Sequence, residues 1–363
     1  MRKDNNVMDI KIDKDFLVRT TQKLVACDSP VGYYPKIESL LKTMVVAYGY
    51  EMNYDRKHTG YVRLEGKSHE KCVCLGAHVD TIGLVVRGFN EDGTLRVRQL
   101  GGINYASIEG ECCRIYCRDG RVVNGQVICN KHSVHVWADA KQEPRDEAHM
   151  SISIIGDVTS PDEAKSLGVT QGAIVAVDPH FQTYDNGYIV SRYIDDKACV
   201  ATLLGLLKWF VESGEKPAYD TLLAFPIYEE IGHGASYVPA EVSEYVALDI
   251  SLLGPDYDSN EHQVGIIASD HHGPYDWNLT NELIQCVRKA CGDGTWNTQV
   301  AFHFSTDAMA AYILGSNLYA GAFGPACLST HGRERCHVDA IIETERLAIA
   351  YALGLGRELE RNI

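Results

Sequence analysis

Two adjacent glutamates, Glu229 and Glu230, follow an apolar run, Thr221 to Ile227, and precede a glycine-bearing turn into Ala235. The run reads as a buried strand, so the pair stands at its C-terminal end, the edge where open α/β sheets bind ligands. Side-by-side carboxylates are costly there without positive charge beside them. Four other places carry residues that could supply or share such charge. His78-Val79-Asp80 follows a second apolar strand, 71–77, and residues two apart on an extended chain face the same side. Asp195-Asp196-Lys197 opens a helix, Asp249 lies in an apolar strand, and His331 lies in a turn before the last helix. Each has an ordinary explanation when taken alone: a solvated strand end, aspartates capping a helix, a histidine in a turn. Together they supply two histidines and several carboxylates, nearly all at strand ends or helix starts. That donor set suits two divalent cations with mixed nitrogen and oxygen ligands. A two-metal site needs one carboxylate shared between the ions and another to take a proton from water. Glu229 and Glu230 can divide ligand and base between them.

The elements that must position these residues come from both ends of the chain. Helical spacing over 15–26 and 34–47 is followed by strand-like segments near 50–54, 60–65 and 71–77. From Arg87 to Val190 the pattern changes to short alternating strands separated by Asp92-Gly93, Asp119-Gly120 and Asn124-Gly125, with one short helix, Pro161 to Leu167. Helical pattern returns at Asp195, with a long apolar helix, Ala198 to Trp209. Strands and helices then alternate to a C-terminal helix starting near Asp339. The expectation is an α/β fold: a mixed-sheet domain, 1–86 and 187–363, interrupted by a small β-barrel or sandwich at 87–186.

Composition narrows the function classes. A 363-residue chain with 45% hydrophobic residues can build a sizeable core. A net charge of −15 without a Lys/Arg cluster argues against a nucleic-acid partner. No run is long enough to span a membrane, and Met1 to Lys14 is polar, without the apolar core of a signal peptide. Twelve scattered cysteines without a Cys-x-x-Cys pair read as reduced, small, buried residues of a cytoplasmic protein.

The order His-x-Asp, Asp-Asp-Lys, Glu-Glu-x-Gly, Asp, His resembles the dinuclear metallopeptidases of clan MH. The longer gap here lies between His78 and Asp195 rather than between Asp249 and His331. That resembles metallopeptidase family M forty-two, the TET and glutamyl/leucyl aminopeptidases once labelled cellulases. Gly156-Asp157 through Val177-Asp178-Pro179 resembles that family's insertion, and Ser305-Thr306-Asp307-Ala308 its Thr-Asp-Ala motif. The resemblance implies a dinuclear metallopeptidase (phosphorylase/hydrolase-like) domain with an inserted domain for oligomer contacts or a lid. It implies that His78 and Asp249 bind one metal, Glu230 and His331 the other, and that Asp195 bridges. Glu229 would be the general base, assisted by Asp80, which holds His78. The implied cofactors are two divalent ions per subunit: zinc, with cobalt or manganese as alternatives. The implied function is a cytoplasmic aminopeptidase that removes N-terminal residues from short peptides through a metal-bridged water. The implied assembly is a homo-oligomer built from dimers, up to a dodecamer.

Some residues depart from that pattern. Lys197 stands where arginine is usual, and His233-Gly234 follows the Glu-Glu-x-Gly turn. His331 to His337 resembles the branch associated with osmolyte (N-acetylglutaminylglutamine amide) operons. The alternatives are therefore a deacylase or amidase acting on a small acylated amino acid or peptide amide, a glycoside hydrolase, and a non-catalytic metal-binding assembly protein. His271, His272, Arg333 and Arg335 are further candidates for the pocket.

Overall fold

The computed structural model describes residues 8–357. The first residues of the polar N-terminal stretch and the last of the C-terminal segment lie outside that range. Four parallel strands form the centre of a large mixed sheet. Tyr219–Phe225 pairs with Ser68–Gly76, which pairs with Val242–Leu248, which pairs with Tyr319–Leu328. Toward their C-terminal ends these strands are apolar and buried on both faces. Antiparallel strands extend the sheet: Gly60–Leu64 pairs with Tyr219–Phe225, and Val264–Asp270 and Glu334–His337 both pair with Tyr319–Leu328.

Ile194–Ser213 is buried along most of its length and packs between Lys14–Val25 and Val338–Ala352. Its residues are apolar nearly all round, as expected for a helix enclosed by protein. Gly214 ends it in a left-handed conformation (φ 70°), a common helix stop.

The β-rich segment forms a closed six-stranded barrel: Gly83–Phe89, Leu95–Leu100, Met150–Ile154, Val122–Cys129, Cys112–Tyr116 and Ile174–Val177, in order around it. Alternating residues from these strands fill a core of their own, including Leu84, Val86, Val97, Ile115, Val127 and Ile152. The barrel is tied to the α/β part through Asp28, whose carboxylate accepts from Arg114 Nη2 at 2.8 Å and also from Tyr116. No helix among the described residues is long and apolar enough to cross a membrane.

Candidate metal centre

The parallel strands run the same way, so their C-terminal ends gather on one edge. The chain leaves that edge at His78 after Ser68–Gly76, at Glu229 and Glu230 after Tyr219–Phe225, and at Asp249 after Val242–Leu248. His331 follows Tyr319–Leu328, and Asp195 comes from the start of the buried helix. Tyr193, Tyr228, Ser329 and His331 all have positive φ, between 59° and 82°. Such conformations are unfavourable for residues with a side chain and concentrate at functional sites. Here each flanks or belongs to one of the chemistry-bearing turns.

The Asp195 carboxylate lies between the two histidines. Its Oδ1 is 3.2 Å from His78 Nε2 and its Oδ2 is 3.7 Å from His331 Nε2. Glu230 Oε2 approaches His331 Nε2 at 3.2 Å, and Glu229 Oε2 approaches His78 Nε2 at 3.7 Å. Ligand atoms of His78, Glu229 and Asp249 lie within 4.8 Å of one another, as do those of His78, Asp195 and Glu230, and of Asp195, Asp196 and Asp249. The seven residues singled out from the sequence thus occupy one place. Asp80 sits beneath them: its carboxylate accepts from the backbone N–H of both Glu229 and Glu230 at 3.2 Å. His78 Nδ1 is closer to the Asp80 carbonyl, at 3.0 Å, than to its carboxylate, at 3.6 Å. Asp80 therefore fixes the glutamate turn with its side chain and the imidazole mainly with its backbone.

The electrostatics are those of too many acids in too little water. Burial, then the charges of Asp249, Asp307 and Glu230, pushes the Glu229 carboxyl well above its usual range. Burial, aided by Asp195, pushes Glu230 up to about 7. Burial and the Asp195 and Asp196 charges raise Asp249 well above normal. Burial also works against Asp195, but the hydrogen bond from His78 and the charges of both histidines outweigh it and hold that carboxyl low. Burial opposes charge on His78 too, yet its bonds to Asp195 and Asp80 raise it. A donor set that resists ionisation until cations arrive fits divalent metals.

Several residues to which the sequence assigned no role hold the site in place, among them members of the Asp195-Asp196-Lys197 and Thr-Asp-Ala stretches. Buried Glu334 accepts from the backbone N–H of Asp195 at 3.0 Å and of His331 at 3.2 Å. Asp196 Oδ2 accepts from His78 N at 3.1 Å. Asp307, of the Thr-Asp-Ala stretch, accepts from Ala235 N at 2.7 Å and so anchors the turn after the glutamates. Gly102, from the barrel side, accepts from His331 Nδ1 at 2.9 Å. Buried Lys197 donates to Ser29 Oγ, which itself donates to Val79 O at 2.6 Å.

A cleft of about 460 Å³ opens over the centre, lined also by Ile250, Leu252, Tyr257, His303 and Phe304. The other candidates point elsewhere. Arg335 forms a two-pronged bond to Glu261, Arg333 donates to Gln182, and His233 stacks on Tyr228. His271 and His272 make local contacts to Phe302 O and Ser305 Oγ.

A profile of the family described as M42 glutamyl aminopeptidase matches residues 59–347. A protein of Bacillus subtilis (strain 168) named as an aminopeptidase, YhfE, is 31% identical over 331 residues, covering 91% of this chain and 95% of that one. An aminopeptidase of the archaeon Desulfurococcus kamchatkensis superposes with a TM-score of 0.83 at 18% identity, over 96% of this chain and 99% of that one. The TET1 peptidase of Pyrococcus horikoshii, which assembles into a tetrahedron or a large octahedral shell, gives 0.80 at 22% identity, over 94% of this chain and all of that one. By the breadth of the sequence match, this chain belongs to the M42 glutamyl aminopeptidase family of metal-dependent peptide hydrolases.

Proposed function

We propose that this chain removes single N-terminal residues from short peptides, using two divalent ions held by His78, Asp195, Glu230, Asp249 and His331. The observation that carries this reading is the Asp195 carboxylate, with one oxygen toward each histidine. His78 and Asp249 would hold one ion and Glu230 and His331 the other, with Asp195 between them. Bound ions would supply Lewis acidity to a peptide carbonyl and make a water more acidic. Zinc suits the mixed imidazole and carboxylate donors, as do cobalt and manganese.

Glu229 is then free to work as the base. It takes a proton from the attacking water and returns it to the leaving amine. Asp80 keeps Glu229 aimed by holding the N–H groups of its turn. Among the described residues, the cleft's apolar wall of Ile250, Leu252, Tyr257 and Phe304 carries no lysine or arginine to pair with an acidic first residue. It favours an apolar, uncharged N-terminal side chain. The segment 87–186 supports oligomer contacts or shapes the entrance. The assembly is a cytoplasmic homo-oligomer built from dimers, up to a dodecamer; the dodecamer formed by one structural relative supports the oligomer.

The test is cleavage of paired peptides with free and acetylated N-termini, beginning with Leu, Phe, Glu or Lys. It is run with zinc, cobalt or manganese and with chelator. Metal-dependent cleavage confined to the free-amine set, fastest for Leu and Phe, is expected. Cleavage of the acetylated set alone would move the chain to a deacylase. Undiminished activity in metal-free protein would overturn the reading.

A further inference from the structure

A second convergence of metal-ligating side chains lies outside the cleft, where the last strand meets the C-terminal helix. His337 caps the helix Val338–Ala352, Asp339 stands in its first turn, and His262 reaches over from the loop before strand Val264–Asp270. Asp339 Oδ2 is 3.0 Å from His262 Nδ1 and 3.2 Å from His337 Nδ1. All three ligand atoms lie within 4.8 Å of one another. Tetrahedral zinc with bonds near 2.0–2.1 Å places its ligand atoms roughly 3.3 Å apart, so the two measured edges are already close to a metal's requirement.

The proton arrangement separates this cluster from an ordinary surface ion pair. His337 Nε2 lies 2.8 Å from the Asn186 carbonyl, to which it can only donate. His337 Nδ1 in turn accepts the Asp339 backbone N–H at 3.1 Å, so it carries a lone pair. That lone pair also faces a carboxylate oxygen at 3.2 Å, two acceptors with no proton between them. A cation satisfies both. A ring that donates one nitrogen's proton to a carbonyl and presents the other nitrogen bare is the usual state of a metal-bound imidazole. The ring has been given room: Gly187 (φ 90°) lies so close that a Cβ there would be 2.5 Å from His337 Nε2. On ion binding the Asp339 N–H passes to solvent, which reaches this half-exposed turn.

We propose that His262, His337 and Asp339 form a separate divalent-metal site suited to zinc. Two imidazoles and one carboxylate favour zinc over magnesium or calcium, which demand more oxygen ligands. The ion would pin His262, and with it the loop that follows Leu252 and carries Tyr257 into the cleft. The site is structural, and it does not rest on the function proposed for the cleft.

The test compares the full chain with H262A and D339N, each stripped with chelator, titrated with zinc alone by calorimetry, and counted by elemental analysis after gel filtration. Half of the His262 side chain is exposed, so H262A leaves the core untouched. The expected result is one zinc ion fewer per subunit in each variant, whatever number the cleft holds. Equal stoichiometry in all three proteins overturns the proposal. Loss of zinc from D339N with full retention in H262A would equally overturn it, since it would remove His262 from the site.

Discussion

The two halves of the proposed metal centre are held in different ways. His78 is 3% exposed and emerges from an interior parallel strand. Its main chain and both ring nitrogens are fixed from within the α/β part, by Asp196, the Asp80 carbonyl and Asp195. The His331 side chain is 37% exposed and stands in a loop with φ 59°. Its ring is aimed by the carbonyl of Gly102, from the turn after barrel strand Leu95–Leu100, and its own carbonyl accepts from Asn104 N at 3.3 Å. One half is built into the sheet; the other is assembled where the insertion meets it. A rigid, enclosed half suits a tightly held ion, and an open, loop-borne half suits exchange and the approach of a substrate amine.

The strongest challenge to this comparison is Glu229→Gln. If the buried half houses the base, activity should fall by at least ~10²–10⁴-fold, the usual worth of a positioned proton acceptor. Metal content on both sides should persist. Loss of metal with activity would make Glu229 a ligand and dissolve the division of labour with Glu230.

Next in size is the contrast between His78→Ala and His331→Ala. The first would remove a proposed ligand of the enclosed half and strip Asp195 of the imidazole that holds its carboxylate ionised. A charge left unpaired in such a buried space costs several kcal/mol, of the order of ~3–5. Both loss of the tighter ion and a lowered Tm are expected. His331→Ala should lose only the weaker ion and keep its Tm in the metal-free state. Equal metal loss and equal Tm shifts would erase the distinction between the halves.

Much of the buried half was readable from the sequence, and the physical reason is local. An apolar strand followed by His-x-Asp or Glu-Glu places its polar residues at the strand end, wherever the strand sits in the sheet. The shared burial of Ile194–Ser213 was likewise written in its run of apolar residues. The barrel, too, left its mark in alternating strands and Asp-Gly or Asn-Gly turns. What the sequence did not disclose was the open half's support. Gly102 lies some way along an insertion read as a lid or oligomer module, and its contact to His331 depends on how barrel and sheet dock. Glu334 was visible only as one more charge in a polar motif; its role as acceptor for both Asp195 and His331 exists only once two distant loops meet. Arg333 and Arg335, open between pocket and surface in the sequence, bond to Gln182 and Glu261, since charge near a motif is no guide to direction.

Gly102→Ala sharpens the comparison more gently. A Cβ at that position would lie 3.0 Å from His331 Nδ1, so the ring must give by a few tenths of an ångström. Disturbing the group that orients a metal-bound imidazole typically costs ~10–100-fold in metal affinity. The low end of that range is expected here, confined to the weaker ion, with Tm and the tighter ion unchanged. If both ions weaken together, the insertion supports the whole centre rather than one half.

The smallest effect is in protons. In the metal-free protein Glu230 titrates at about 7 rather than at its ordinary 4.5, because burial and then Asp195 disfavour its charge. The folded state thus holds that proton more tightly than the unfolded one, and this group's contribution to stability falls as pH rises from 4.5 to about 7. Metal binding needs the proton gone, so affinity at the open half should rise over the same interval and level off above it. His331 adds to the trend, since the charges of Glu230 and Asp195 overcome burial and raise it above 6.5. At the enclosed half, Asp249 and Glu229 lie well above the usual carboxyl range. Proton release there should therefore be larger and continue to higher pH. Calorimetric titration in buffers of different ionisation enthalpy separates the two: two steps with unequal proton counts support unlike halves. A single step releasing the same number of protons for each ion would mean that the centre loads as one unit.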